Sequence, residues 1–418
     1  MIVKCFVLKQ HCVSKIAREC GPDTIAVIRP QRKIEARFRE AIRLAIVEKK
    51  QADDVLRGIM DYFMSMAETP ECQDSVETTM EGIATYLREG MYVQTSAYAI
   101  EDYVMAKCAR LCAETVNQRV GGTLIDGTSL MICSSDAAGQ QHFNWTASRQ
   151  QILDRCTGKL PLVISGGYGR LESGYIVRVG KDGAHLMSAL IADTMGASSI
   201  EFHIENQGIA GISAMTYDEA AHYCASAQAP FSSSAIWPAK NAGIPILVKD
   251  ISDDSFAGTL ISTGSQHKTA VISDKDLNLI TVYGTGLLGR VGMSGAIFSG
   301  LAAQGVNVRF IAQTSSEYSI SFAIRSEDKL VAQEAIRSLF KDNPLLPLDD
   351  VVVLNQEVGI ITVFGSRMKN VPGMSGKVFG ALGAAGINVI ASAQGGEELS
   401  ISLVVAAEDV DRAEELLK

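Results

Sequence analysis

The stretch ITVYGTGLLGRVGMSGAIFSGLAAQGVNVRFIAQTSSEYSIS, residues 280–321, occurs twice in this chain. It returns at residues 361–402 as ITVFGSRMKNVPGMSGKVFGALGAAGINVIASAQGGEELSIS, at a constant offset of 81 residues and with 20 of 42 positions identical. Self-similarity at a fixed offset marks a duplicated supersecondary unit. Each copy reads as a strand (ITV), a glycine-rich turn and a helix opening at Gly-Met-Ser-Gly. A second strand (306–311; 387–391), a polar turn, a third strand (318–323; 399–405) and a closing helix follow. The expected unit is βαββα.

Working outward, 418 residues suffice for two or three domains with separate cores. With 47% hydrophobic and 20% charged residues and a net charge of −9, the chain is unsuited to nucleic acid or to an anionic membrane surface, and no Lys/Arg run reverses this locally. No run approaches the roughly 18 apolar residues of a membrane span. The opening MIVKCFVLKQ carries its lysine inside a short apolar run and reads as a strand, not a signal peptide. Nine cysteines without a CxxC pairing favour free, reduced thiols and a cytoplasmic location. Cys108 and Cys112 share a helical face, but with no histidine within a turn they read as core residues.

Upstream of the repeat, apolar strands alternate with helices. Strands are expected at 1–8, 24–28, 122–126, 160–165, 174–180, 199–205 and 243–250, with SLMICSSD a further strand or its edge. Helices are expected over 34–67, 74–88, 97–118, 145–156 and 184–195, and Thr216 with Glu219 forms a capping-box pattern. GGYGR, 166–170, reads as a glycine turn. This is an α/β pattern: a mostly parallel sheet with helices on both faces.

With these residues in view, a family resemblance can be stated. The two copies resemble paired ACT domains, and SSEYSISF (315–322) with VGMSGAIF (291–298) is similar to the aspartokinase part of bifunctional aspartokinase–homoserine dehydrogenases. Upstream, GTLIDGTSLMICSSD, the run from LPLVISGGYGR to GASSIEF, and NAGIPILVKDISDDSFAGTLIS resemble successive aspartokinase segments. The resemblance implies an amino-acid kinase-like domain at 1–262 and a linker at 263–276, whose strand at 268–272 joins the second ACT unit. Two ferredoxin-like βαββαβ ACT domains then occupy 277–345 and 346–418. It also implies ATP and Mg as cofactors if kinase activity is retained.

Phosphoryl transfer needs backbone donors and positive charge around the moving group. The family meets this with short motifs, and this chain departs from each. Where K-F-G-G is expected, Lys4 remains but Val7 and Leu8 replace the glycines. The carboxylate of the Ser-x-Gly-Glu motif is matched only by Asp102 or Glu101. Gly-Arg-Gly-Gly-Ser-Asp reads Gly180-Lys181-Asp182-Gly183-Ala184-His185, in which Lys181 lacks the planar fork of arginine. As a lone histidine, His185 reads as solvated or core. Residues 202–208 replace the nucleotide motif Trp-Thr-Asp-Val-Asp-Gly, with its following loop shortened, and residues 226–233 lack the Lys and His of the last motif. Lys4, Asp102 and Lys181 are therefore catalytic remnants.

The repeat keeps what a ligand needs. Gly284 and Gly286 permit a tight turn, and Gly292-Met293-Ser294 opens a helix whose free N–H groups suit an α-carboxylate. By the resemblance, the effector contacts lie near Gly286, Gly292, Met293, Gln313, Ser315, Ser316 and Glu317, with Gln394 and Glu398 in the second copy. Arg309 stands where lysine-responsive members carry an acid, which favours threonine over lysine. The expected protein is a catalytically impaired aspartokinase homologue that senses an amino acid, as a homodimer through its ACT domains and in possible partnership with an intact aspartokinase. The alternative is an active aspartate kinase of amino-acid biosynthesis, regulated by feedback.

Overall fold

A computed structural model describes residues 1–418 except 48, 91–96, 136–140, 181, 206–211, 225–228, 230, 254–256, 265–269, 285–286, 288–290, 317, 342–351 and 366–367. The chain forms two compact units, the first ending at Ser265 and the second beginning, apart from a short segment, at Gln266.

The first unit opens with β1 (Ile2–Leu8), α1 (Val13–Glu19) and β2 (Thr24–Pro30). Four helices follow: α2 (Arg32–Val47), α3 (Lys49–Met64), α4 (Pro70–Gly90) and α5 (Ala97–Val120). The single helical pattern expected over 34–67 is thus two helices, and Pro70 occupies the first position of α4, where its missing N–H costs nothing. Next come β3 (Thr123–Ile125), β4 (Ile132–Ser135), β5 (Gln141–Phe143) and α6 (Trp145–Arg155). The middle of the unit holds β6 (Leu162–Ser165), β7 (Tyr168–Leu171), β8 (Ile176–Arg178), α7 (Gly183–Met195) and β9 (Ser199–Ile204). It closes with β10 (Ala214–Met215), α8 (Tyr217–Cys224), α9 (Ile236–Ala242), β11 (Ile246–Asp250) and β12 (Thr259–Ile261).

Eight of these strands form one sheet in the order β10-β12-β11-β9-β1-β2-β6-β3, parallel except for the β11–β12 pair. Because β1, β2 and β6 are buried on both faces, they are continuously apolar apart from Lys4, Thr24, Arg29 and Ser165. Helices α2 to α5 pack a core against one face around Phe6, Phe38, Phe63 and Val104. The first ten residues of α7 are all buried. The Thr216–Glu219 capping box forms at the head of α8: the Glu219 carboxylate accepts from Thr216 N at 2.7 Å, and Thr216 Oγ1 accepts from Glu219 N at 3.2 Å. SLMICSSD does supply a further strand, β4, although in a separate sheet of order β5-β4-β7-β8. One expectation fails here: part of the glycine-rich GGYGR is not a turn but the start of strand β7.

The second unit comprises β13 (Ala270–Tyr283), α10 (Met293–Ala303), β14 (Phe310–Gln313), β15 (Ser319–Arg325) and α11 (Lys329–Lys341). Its second half repeats the pattern with β16 (Val352–Phe364), α12 (Met374–Ala384), β17 (Ala391–Gln394), β18 (Ser400–Ala406) and α13 (Val410–Leu417). All six strands form one antiparallel sheet, β14-β15-β13-β16-β18-β17. The long strands β13 and β16 pair along both halves, Ala270–Asp274 against Ile360–Phe364 and Leu277–Tyr283 against Val352–Val358, with a bulge between Asp274 and Leu277. Each therefore serves both copies of the repeat. The second strand of each copy starts at Phe310 and Ala391, later than its apolar run suggests, because Val306 and Ile387 are buried without being paired. The boundary expected at 345/346 lies outside the described residues.

At Gly359, in the middle of β16, a Cβ would stand 2.3 Å from Val410 Cγ2 and 3.1 Å from Asp274 O. Gly359→Ala is expected to destabilise the second unit by about 1–3 kcal/mol, read as a lower urea midpoint, since a branched core side chain and a backbone carbonyl must both move.

Candidate functional site

Lys4 lies on β1, in register with Glu201 on β9 and Ala26 on β2. Its ammonium donates to Glu19 Oε2 of α1 at 2.9 Å and stands 3.3 Å from Glu201 Oε2. Lys249 of β11 donates to the same Glu201 oxygen at 3.2 Å, and His203 Nε2 lies 2.9 Å from it. Two carboxylates thus face two ammonium groups around a buried imidazole. Burial works against the Lys4 charge, but the Glu19 hydrogen bond and the two acids outweigh it and raise its pKa. Burial likewise pushes Glu201 upward, yet the His203 hydrogen bond and the charges of Lys4 and Lys249 hold it at about 2. Glu19, Glu201 and His203 have ligand atoms within 4.8 Å of one another, the spacing of a metal site. The Lys4 ammonium already supplies the cation between the two carboxylates.

The next positions bear on phosphate. Val7 and Leu8 are buried at 0% and 1% exposure, filling space that glycines would leave open. Lys9, just past β1, donates to Ser252 Oγ at 2.8 Å and lies 3.7 Å from Glu205, spanning the strand ends of β1, β9 and β11. In open parallel sheets, ligands enter at such strand ends.

Asp102, in the second turn of α5, shares no hydrogen bond or ion pair with Lys4 among the described contacts. It accepts from the Arg178 backbone N–H at 3.0 Å, with the Arg178 guanidinium 3.7 Å away. Burial raises its pKa more than Arg178 lowers it. Glu101 beside it takes hydrogen bonds at 2.8 Å from both Arg39 and Arg178, which outweigh burial and lower its pKa. Lys181 lies outside the described residues. His185 is fully buried, edge-on to Phe202 at 4.6 Å and Phe231 at 6.2 Å, and both ring nitrogens lack hydrogen-bond partners. Burial, then the charges of Arg29 and Arg32, hold its pKa well below 6.5, so it sits neutral in the core.

The C-terminal unit presents one arrangement twice. In the first copy Ser294 Oγ donates to Gln313 Oε1 at 3.3 Å; in the second Ser375 Oγ donates to Gln394 Oε1 at 3.3 Å. Gly292 and Gly373, at φ 91° and 83°, turn the chain into α10 and α12 immediately before Met293 and Met374. Only glycine adopts that conformation without strain. Both glutamines are exposed beside a helix start, where unpaired N–H groups remain. Ser315 and Ser316 are exposed on the turn after β14; Gly286 and Glu317 lie outside the described residues. Glu398 differs: its carboxylate accepts from Asn370 N at 2.8 Å. The Arg309 guanidinium is bonded to Asp274 at 2.7 Å, which removes the electrostatic ground for choosing threonine over lysine at that position.

Residues 280–340 and 361–418 match the ACT domain family. The chain is 28% identical over 253 residues to a bifunctional aspartokinase/homoserine dehydrogenase of Haemophilus influenzae, covering 56% of this chain and 31% of that protein. A chloroplastic relative of the same description from Arabidopsis thaliana is 33% identical over 187 residues, covering 43% of this chain and 20% of the relative. The fold matches E. coli aspartokinase III in complex with aspartate and ADP along 100% of this chain and 98% of that one, with a TM-score of 0.81 at 17% identity. The chain is similar to aspartokinases in fold along its whole length and in sequence over part of it. The same E. coli protein in complex with lysine and aspartate matches with a TM-score of 0.76 at 17% identity. The chain spans between a fifth and a third of the two curated relatives, at 20% and 31% of their lengths. Among its described residues no helix is long and apolar enough to cross a membrane.

The sequence pointed to Lys4 and both glutamines. It missed Glu201, Lys249 and Arg178, whose only advance signal was their charge on short strands, and Glu19, the last residue of α1, which carried none. Because Glu201 is held at about 2 against an ordinary 4.5, its stabilising effect is complete above pH 4.5 and lost as pH falls toward 2. Glu201→Gln is expected to remove about 3 kcal/mol of stability at pH 7 and to flatten the acid limb of a urea-stability profile.

Proposed function

We propose that this aspartokinase-family protein is catalytically impaired and works as an amino-acid sensor or regulatory subunit through its ACT units. One contrast carries the reading. The Lys4 charge is engaged by Glu19 and Glu201, whereas the Ser–Gln pair beside a helix start is preserved in both copies of the repeat.

The described residues fit MgATP poorly. Buried Val7 and Leu8 replace the glycines a phosphate would approach, Lys9 bridges the strand ends, and the acids at 101–102 are held by Arg39 and Arg178. Each missing contact of this kind is worth several kcal/mol of transition-state stabilisation. In the sensor units, the free N–H groups of α10 would receive an amino acid's carboxylate, while Gln313 would turn its amide toward the side chain. Threonine remains the favoured effector on the resemblance of Gln313, now without support from Arg309. A homodimer through the ACT sheets, an intact aspartokinase as partner and a cytoplasmic location complete the proposal; the described cysteines are all free thiols. The alternative, an active kinase converting ATP and L-aspartate to 4-phospho-L-aspartate, is favoured by the names of the curated relatives.

Thermal unfolding with each amino acid in turn tests the sensor. Threonine is expected to raise Tm saturably, and Gln313→Ala to weaken its apparent affinity about tenfold by removing one hydrogen bond of about 1.4 kcal/mol. Stabilisation by no amino acid would refute the sensor.

A further inference from the structure

The Arg309–Asp274 ion pair has no counterpart in the other half of the repeat. Its residues 81 positions on are Asn355 and Ile390, and Asn355 Oδ1 is buried without a hydrogen-bond partner. The ACT fold therefore forms without an ion pair at this place. Where the pair does exist, it is largely buried, at 20% and 12% side-chain exposure, and Arg309 reaches a single Asp274 oxygen through Nε at 3.1 Å and Nη2 at 2.7 Å.

The pair joins strands that are not neighbours. Arg309 immediately precedes β14, Asp274 ends the first half of β13, and β15 lies between them in the sheet. That first half pairs with the part of β16 that belongs to the second copy. Directly after Asp274 the ladder breaks at the bulge, where Asp276 takes a left-handed φ of 58°. A bulge lets a strand change direction, so without a cross-link the two halves of β13 are free to bend against each other. Four residues beyond Arg309, at the end of β14, stands Gln313.

We propose that Arg309 and Asp274 form a latch that fixes the first ACT copy to the strand half serving the second, so that a ligand held at Gln313 is felt at residues 270–274. The ligand half of this proposal rests on the sensing role above; the mechanical half does not. A buried pair broken by loss of one partner leaves an uncompensated charge, so the latch either holds both segments or releases both.

Amide hydrogen exchange on the full chain tests it. Arg309→Met and Asp274→Asn are each expected to speed exchange about tenfold at both 270–274 and 309–313, while 391–394 and 400–406 stay unchanged. The double variant should be no faster than either single one, as for coupled residues. Arg309→Lys, which keeps the charge without the two-nitrogen grip, should fall between and guards against misfolding of the methionine variant. Unchanged exchange at 270–274 in these variants, or additive effects in the double variant, would overturn the latch. In the wild type, threonine should slow exchange at 270–274; in Arg309→Met it should still bind but leave that segment unaffected. Persistent slowing in the variant overturns the ligand half. If no amino acid binds, the sensing role falls, and the ligand-free comparison still decides the latch.

Discussion

An ammonium group buried in the middle of a parallel sheet must be matched by charge, and in the first unit that demand falls on Lys4. Helix α1 brings Glu19 and strand β9 brings Glu201; β11 then supplies Lys249 to balance the second acid. Lys4 and Glu201 are the dry members, at 10% and 12% side-chain exposure, and leaving either unpaired costs several kcal/mol, whereas Glu19 and Lys249 balance them from a wetter rim. The resulting cluster ties the first helix and the centre of the sheet into one unit. On the proposed reading, Lys4 then has no spare charge for a phosphate.

A different constraint governs the second unit. Strands β13 and β16 each run through both copies of the repeat, so neither copy owns a complete sheet. The hydrophobic patch of Leu277, Leu279, Phe310, Ala323, Val358, Ile360 and Val404 draws on both copies, whereas each also keeps its own core under its helices. Burial of that shared patch makes the duplicated segment a single folding entity. It holds two chemically similar turns in fixed relation, a suitable basis for ligand sensing.

Much of this was legible in the residues. The repeat showed itself by identity, the parallel sheet by its uninterrupted apolar strands, and the head of α8 by its capping box. The charge cluster was not, because Lys4 meets Glu201 only through the adjacency of β1 and β9, a relation between strands almost two hundred positions apart in sequence. Residues 166–170 looked like a turn because of their glycines, and the pairing of residues 168–171 with β4 and β8 overrides that local preference. Val306 and Ile387 signalled burial correctly but not pairing, which hydrophobicity alone does not distinguish. Arg309 was visible as a charge, but its partner Asp274 precedes a bulge that no periodicity announces.

The central claim is that the first unit has kept the fold of its family while its charged groups have turned to one another. The most direct measurement is ATP-dependent formation of aspartyl hydroxamate by the purified full chain with magnesium and L-aspartate. The account predicts no turnover above the enzyme-free control. Sustained, enzyme-concentration-dependent turnover would contradict it and establish the chain as a working kinase.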